Sequence, residues 1–156
     1  MNLDPLSRPH GMFFADGKAY FTAEVNRLIG RYDPAANKVD WILGTGQNRT
    51  HMIYVTSDEK QVYTTNVESG TVSILEYVLI APTGPPGRTP PPGAHPHMDW
   101  VQTIIPVSKG SEGFDVSPDG RELWTAAADD GTLSIIDIAA KKLIVTIDAK
   151  VAGQTV

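Results

Sequence analysis

Short runs in which apolar and polar residues alternate recur along this chain, and each is closed by Gly, Asp, Pro or Asn. The stretch after residue 110 is the clearest case. Gly113-Phe114-Asp115-Val116 alternates as a strand with one buried face should. Ser117-Pro118-Asp119-Gly120 then supplies a tight turn, with Pro and Gly where their backbone limits suit it. Residues Glu122 to Ala126 form a second apolar run, and Asp129-Asp130-Gly131 turns into Thr132-Leu133-Ser134-Ile135-Ile136-Asp137. Ala139-Ala140-Lys141-Lys142 leads into Leu143-Ile144-Val145-Thr146-Ile147. This pattern predicts four antiparallel strands joined by short connections. A helix over Ile136 to Ile147 is the competing assignment, since Ala and Lys favour helices. The β-branched flanks and the match to Pro34 in an earlier unit favour a hairpin turn.

The same unit occurs three times. Asp16-Gly17-Lys18, Asp58-Glu59-Lys60 and Asp119-Gly120-Arg121 each stand between two strand-like runs. The first two turns are 58 − 16 = 42 residues apart and the next step is 119 − 58 = 61. A Pro/Gly-rich block of about 19 residues accounts for the difference. A period near 40 with several short strands in each period is the mark of β-propeller blades. The predicted fold is all-β, with about three four-stranded antiparallel blades of a larger ring. Blade 1 spans about 8–46, blade 2 about 47–109 with an insert at 79–98, and blade 3 about 110–150; residues 151–156 read as the lead into another blade. Closed propellers need four to eight blades. Further blades or a second copy of the chain are therefore expected to close the ring.

The strand Val62-Tyr63-Thr64-Thr65-Asn66, with the Ser-Pro-Asp-Gly turn at 117–120 and Gly-Thr-Leu-Ser-Ile-Ile-Asp at 131–137, resembles the YVTN family of β-propeller repeats. Thr64 stands where that family usually has Val. The resemblance covers nearly the whole chain outside the Pro-rich block. It implies a seven-bladed ring of lactonase-like or surface-layer type, and an exported, periplasmic or extracellular protein. It is specific for fold and says little about activity, because propellers host many unrelated functions.

Composition narrows the partners. The 156 residues carry a net charge of −5, and the 13 Lys and Arg are scattered, so nucleic acid is an unfavoured partner. No apolar run is long enough to span a bilayer as a helix. The N-terminal Met1-Asn2-Leu3-Asp4-Pro5-Leu6 lacks the pattern of a signal peptide. Cysteine is absent, which excludes disulfides, thiolate metal sites, Cys nucleophiles and a Cys-x-x-Cys-His haem attachment.

Candidate chemistry comes from aligning the repeats. His10, His51 and Glu112 open the first strand of their blades, and first strands are innermost in a propeller. The three would line one rim of the central channel, where they form a candidate ligand-binding set. The same residues are candidate ligands for a divalent metal ion and candidates for acid–base work. Polar rims need no function, however, and neighbouring blades are expected to hold these groups several ångströms apart, too far for a shared ion unless the channel is narrow.

The insert, which runs from Ala81 to His97 at its Pro/Gly-rich centre, cannot bury a core and should project from between the third and fourth strands of blade 2. His95 and His97 within it are secondary metal candidates, and Pro90 to Pro92 could dock on an aromatic groove. Trp41 and Trp124 are expected in the core between blades, and Trp100 at the base of the insert. Gly44-Thr45-Gly46-Gln47-Asn48 joins blades rather than opening a helix, and no Gly-x-Ser-x-Gly elbow exists. The leading expectation is a non-catalytic binding scaffold for a protein or small-molecule ligand. A metal-assisted lactonase or lyase with its site at the channel mouth is the alternative.

Overall fold

A computed structural model describes residues 6–149, so residues 151–156, read above as the start of another blade, lie outside the described residues. Twelve strands form three four-stranded antiparallel sheets. Blade 1 comprises β1 (Pro9–Ala15), β2 (Lys18–Ala23), β3 (Leu28–Asp33) and β4 (Lys38–Gly44). Blade 2 comprises β5 (Thr50–Val55), β6 (Gln61–Asn66), β7 (Thr71–Ile80) and β8 (His97–Pro106). Blade 3 comprises β9 (Ser111–Val116), β10 (Glu122–Ala127), β11 (Thr132–Asp137) and β12 (Lys142–Asp148). Each sheet pairs its strands in chain order, as a propeller blade does. The segment from Ile136 to Ile147 is thus a hairpin, with Asp137 Oδ1 accepting the Ala140 N–H in its turn.

Two apolar seams hold the blades together. Tyr20 and Ile29 of blade 1 meet Ile53, Val55, Val62 and Leu75 of blade 2. On the other face of blade 2, Tyr63, Val72, Ile74 and Ile105 meet Leu123, Ile136 and Ile138 of blade 3. The alternation of side chains along a strand explains the split, because Val62 and Tyr63 point to opposite faces. Blade 2 is packed on both sides, so Val62 through Asn66 are all buried.

Blade 3 is not. Trp124, expected between blades, is 40% exposed and gives its indole N–H to Glu122 Oε2 at 2.9 Å. It lies on the face of β10 that turns away from blade 2, and no described sheet covers that face. Trp41 does pack in the seam between blades 1 and 2.

The insert leaves blade 2 between β7 and β8, and the ladder continues well into it. Both strands are ten residues long, paired without a break from Thr71↔Pro106 to Ile80↔His97. Residues 79–80 and 97–98 of the predicted insert are therefore strand, and this stem carries Tyr77 opposite Trp100.

Candidate functional site

His10, His51 and Glu112 are each the second residue of a first strand, in β1, β5 and β9. A repeated clip sets their positions. The Thr22 hydroxyl accepts the Gly11 N–H at 2.9 Å and donates to the His51 carbonyl at 2.6 Å. Thr65 does the same one blade on, accepting from Met52 N at 3.3 Å and donating to the Glu112 carbonyl at 2.6 Å. Each threonine thus ties its own innermost strand to the next one.

The blades come closer than expected at His10 and His51. Their imidazole rings stack with centroids 3.8 Å apart. Gly11 allows this approach, since a Cβ there would lie 2.3 Å from the His51 carbonyl oxygen and 2.8 Å from Met52 Cα. His51 is buried at 6% exposure, while His10 is exposed.

A residue that the repeat alignment did not single out completes the cluster. Glu24 follows the last residue of β2 and is 4% exposed. One atom from each of His10, Glu24 and His51 lies within 4.8 Å of the others, a spacing that could hold a metal ion. The signal for Glu24 was present in the sequence, because the residues following β6 and β10 are Val67 and Ala128. A carboxylate stands where the other blades place an apolar side chain.

Electrostatics explains why Glu24 tolerates burial. Glu24 Oε1 is 2.5 Å from His51 Nδ1 and 3.5 Å from Arg49 Nε, and Oε2 is 3.3 Å from Arg8 Nη2. Burial pushes the carboxyl pKa up, but the His51 hydrogen bond and the His51, Arg49 and Arg8 charges outweigh it, leaving the group below its ordinary value. An ionised carboxylate only accepts, so it fixes a proton on His51 Nδ1 and makes Nε2 the ring atom that a cation could take as a ligand. Oε2 receives no well-directed hydrogen bond among the described residues. That is an open acceptor in a buried position.

Glu112 does not join this cluster. It pairs with Arg49 Nη2 at 3.3 Å, and the Arg49 side chain stands between it and Glu24. His95 and His97 remain apart on the insert stem and loop, and His97 Nε2 is 4.0 Å from Asp99 with both side chains 63% exposed. They belong to no three-group cluster among the described residues.

Arginine is used unusually around this rim. Arg8 and Arg49 immediately precede β1 and β5 with φ of 53° and 55°, where blade 3 has Gly110 at 77°. Arg27 precedes β3 with φ of 56°, where blades 2 and 3 have Gly70 and Gly131. A non-glycine residue in this region carries a cost of order 1 kcal/mol. The three arginines line, with Glu24 and Glu68, a cleft of about 180 Å³. Nothing in the sequence marks these three arginines, because left-handed backbone is legible only once the turns are built.

Comparison with known proteins addresses the fold alone. No protein-family profile and no curated protein matches the chain. Solved structures do. Hydrazine synthase of Kuenenia stuttgartiensis superposes with a TM-score of 0.71 at 18% identity, over 92% of this chain and 36% of that one. A Bacteroides fragilis protein provisionally named a 6-phosphogluconolactonase gives 0.64 at 17% identity, over 92% and 40%. KlHsv2 with loop 6CD replaced by a Gly-Ser linker gives 0.60 at 15%, over 93% and 43%. The likeness is one of fold. This chain is a partial β-propeller spanning less than half the length of these structures.

Proposed function

We propose that this chain is a binding module of the YVTN-repeat type that holds a divalent metal ion at its channel rim and presents it to a small ligand. The observation that carries this reading is the convergence of His10, Glu24 and His51, from two blades, within 4.8 Å. Two imidazoles and a carboxylate are a suitable donor set for zinc or a similar ion. Glu24 Oε2, the oxygen not bonded to His51, is the open acceptor that a cation would satisfy. Arg8 and Arg49 already balance the Glu24 charge, so binding should be of moderate strength and reversible by chelators. The placement of Thr65 and Asn66 supports the YVTN assignment. Thr65 makes the clip to the next blade, while buried Asn66 bonds Thr50, Thr71 and Ser73 within its own.

Calorimetric titration of the chelator-treated chain with Zn²⁺ and Mn²⁺ tests the reading. One ion per chain should bind, with loss of binding in His51→Ala and in Glu24→Gln while the circular-dichroism spectrum is kept. Equal binding by wild type and both variants overturns it.

Metal-assisted lactone hydrolysis or elimination is the second reading, favoured by the His51–Glu24 pair. A buried carboxylate that fixes Nδ1–H leaves Nε2 to hold an ion, which would supply Lewis-acid activation of a lactone carbonyl. Under this reading a lactone assay shows metal-dependent turnover that His51→Ala abolishes.

A further inference from the structure

At the opposite end of the blades from the rim, an aromatic wall and a set of charged side chains enclose a groove of about 450 Å³. The wall is continuous. Trp41 and Trp100 have ring centroids 5.3 Å apart, Trp100 and Tyr77 5.4 Å, and Tyr20 and Trp41 6.1 Å. It is built across two blades, Tyr20 and Trp41 coming from blade 1 and the other two from the lengthened β7–β8 stem. Strands β3 and β11, the counterparts of β7, have six residues against its ten. The extra length is what brings Tyr77 and Trp100 to the groove. Tyr77 is 38% exposed, so part of its side chain is accessible where it lines the groove.

A second observation is independent of the wall. The Asp-Gly-Lys/Arg turns of blades 1 and 3 place Gly17 and Gly120 at a φ of 71°. Blade 2 puts Glu59 at this position, with φ of 55°. Glutamate in left-handed backbone is disfavoured where glycine serves freely. Its carboxylate is directed into the groove, accepting the Tyr20 hydroxyl at 2.5 Å and lying 3.5 Å from Arg31 Nη1.

The geometry points to a binding site for an uncharged oligosaccharide segment. Aromatic faces stack on the C–H surface of pyranose rings, and the groove is large enough for about two sugar units. Arg31 and Lys60 donate hydrogen bonds while Asp58 and Glu59 accept them, which suits hydroxyls that do both. Two cations and two anions cancel, so the groove offers no net attraction to an ionic ligand. The site is separate from the histidine rim and stands without it.

Titration with cellopentaose, maltopentaose and chitopentaose, followed by tryptophan emission, tests this assignment. At least one neutral probe should shift the emission saturably. Trp100→Ala should weaken that binding about tenfold or more, as loss of one stacking aromatic implies. Glu59→Gln, a turn substitution that preserves side-chain size, should also weaken it, and Trp124→Ala, outside the groove, should not. The assignment is overturned if no neutral probe shifts the emission up to about 10 mM, where even weak sites fill. Binding of an oligoglucuronate alone, or unchanged binding by both Trp100→Ala and Glu59→Gln, also overturns it.

Discussion

The Thr65 hydroxyl donates a 2.6 Å hydrogen bond to the carbonyl of Glu112, joining the second strand of one blade to the innermost strand of the next. Thr22 and His51 stand in the same relation one blade earlier. Valine at either position keeps the shape and removes the bond, so Thr22→Val and Thr65→Val should each cost about 1–2 kcal/mol in urea unfolding. Thr22→Val should weaken Zn²⁺ binding more than Thr65→Val. The Thr22 bond ties the His51 carbonyl to the blade that carries His10 and Glu24, whereas Thr65 holds the same peptide only through the Met52 N–H within blade 2.

Gly11→Ala is expected to act at the rim more strongly than its size suggests. The added methyl would press on the His51 carbonyl at 2.3 Å, backbone that cannot swing aside. The two innermost strands must part, separating the stacked imidazoles. Zn²⁺ affinity should fall at least tenfold, with a stability loss of about 1–3 kcal/mol, as for an overpacked core. Gly17→Ala has open space but φ of 71°, and it should reduce stability while leaving the metal affinity unchanged.

Asp40 supplies a pH dependence. Hydrogen bonds from Arg31 and Lys18 hold its carboxyl down at about 2, against an ordinary 3.8. A depressed folded-state pKa contributes stability that is full above the unfolded value and is lost as pH falls through the folded one. The window is therefore about pH 4 to pH 2. Discounted for solvent screening, the contribution is about 1 kcal/mol. Asp40→Asn should be less stable than wild type by that amount at pH 6, and the difference should close by pH 2 in parallel urea titrations.

Leu123 and Trp124 are adjacent and should respond oppositely. Leu123 is fully buried in the seam between blades 2 and 3, and Leu123→Ala should cost about 2–5 kcal/mol. Trp124 faces away, so Trp124→Ala should change stability by less than about 0.5 kcal/mol. A larger loss for Trp124→Ala, rising with protein concentration, would reveal that another sheet covers this face in solution.

The repeats made the architecture legible, because short Asp- and Gly-rich turns mark each hairpin and the strand signal recurs in register. They also made His10, His51 and Glu112 comparable positions. Glu24 sits one residue past a strand and belongs to no turn motif, so only its alignment with Val67 and Ala128 sets it apart. The close approach of the two histidines is not legible in the repeat period, which carries no information on how near innermost strands come. Gly11, with no Cβ, decides that distance. Alternation assigns Trp124 to the face of β10 opposite Leu123 but does not name that face's neighbour, and among the described residues no sheet covers it. The aromatic groove is not legible in the sequence, since Tyr77 and Trp100 are 23 positions apart and meet only through the unbroken β7–β8 ladder.

That ladder also insulates the ring from what it carries. With Ile80 and His97 fixed opposite each other, residues 81–96 close on a stem that is already formed, so their length hardly matters to the blades. Doubling such a loop adds only about 0.6 kcal/mol of closure entropy. The tip of the stem is thus a natural grafting port, where a peptide tag or a small folded domain could replace the proline-rich tract without disturbing either end of the propeller.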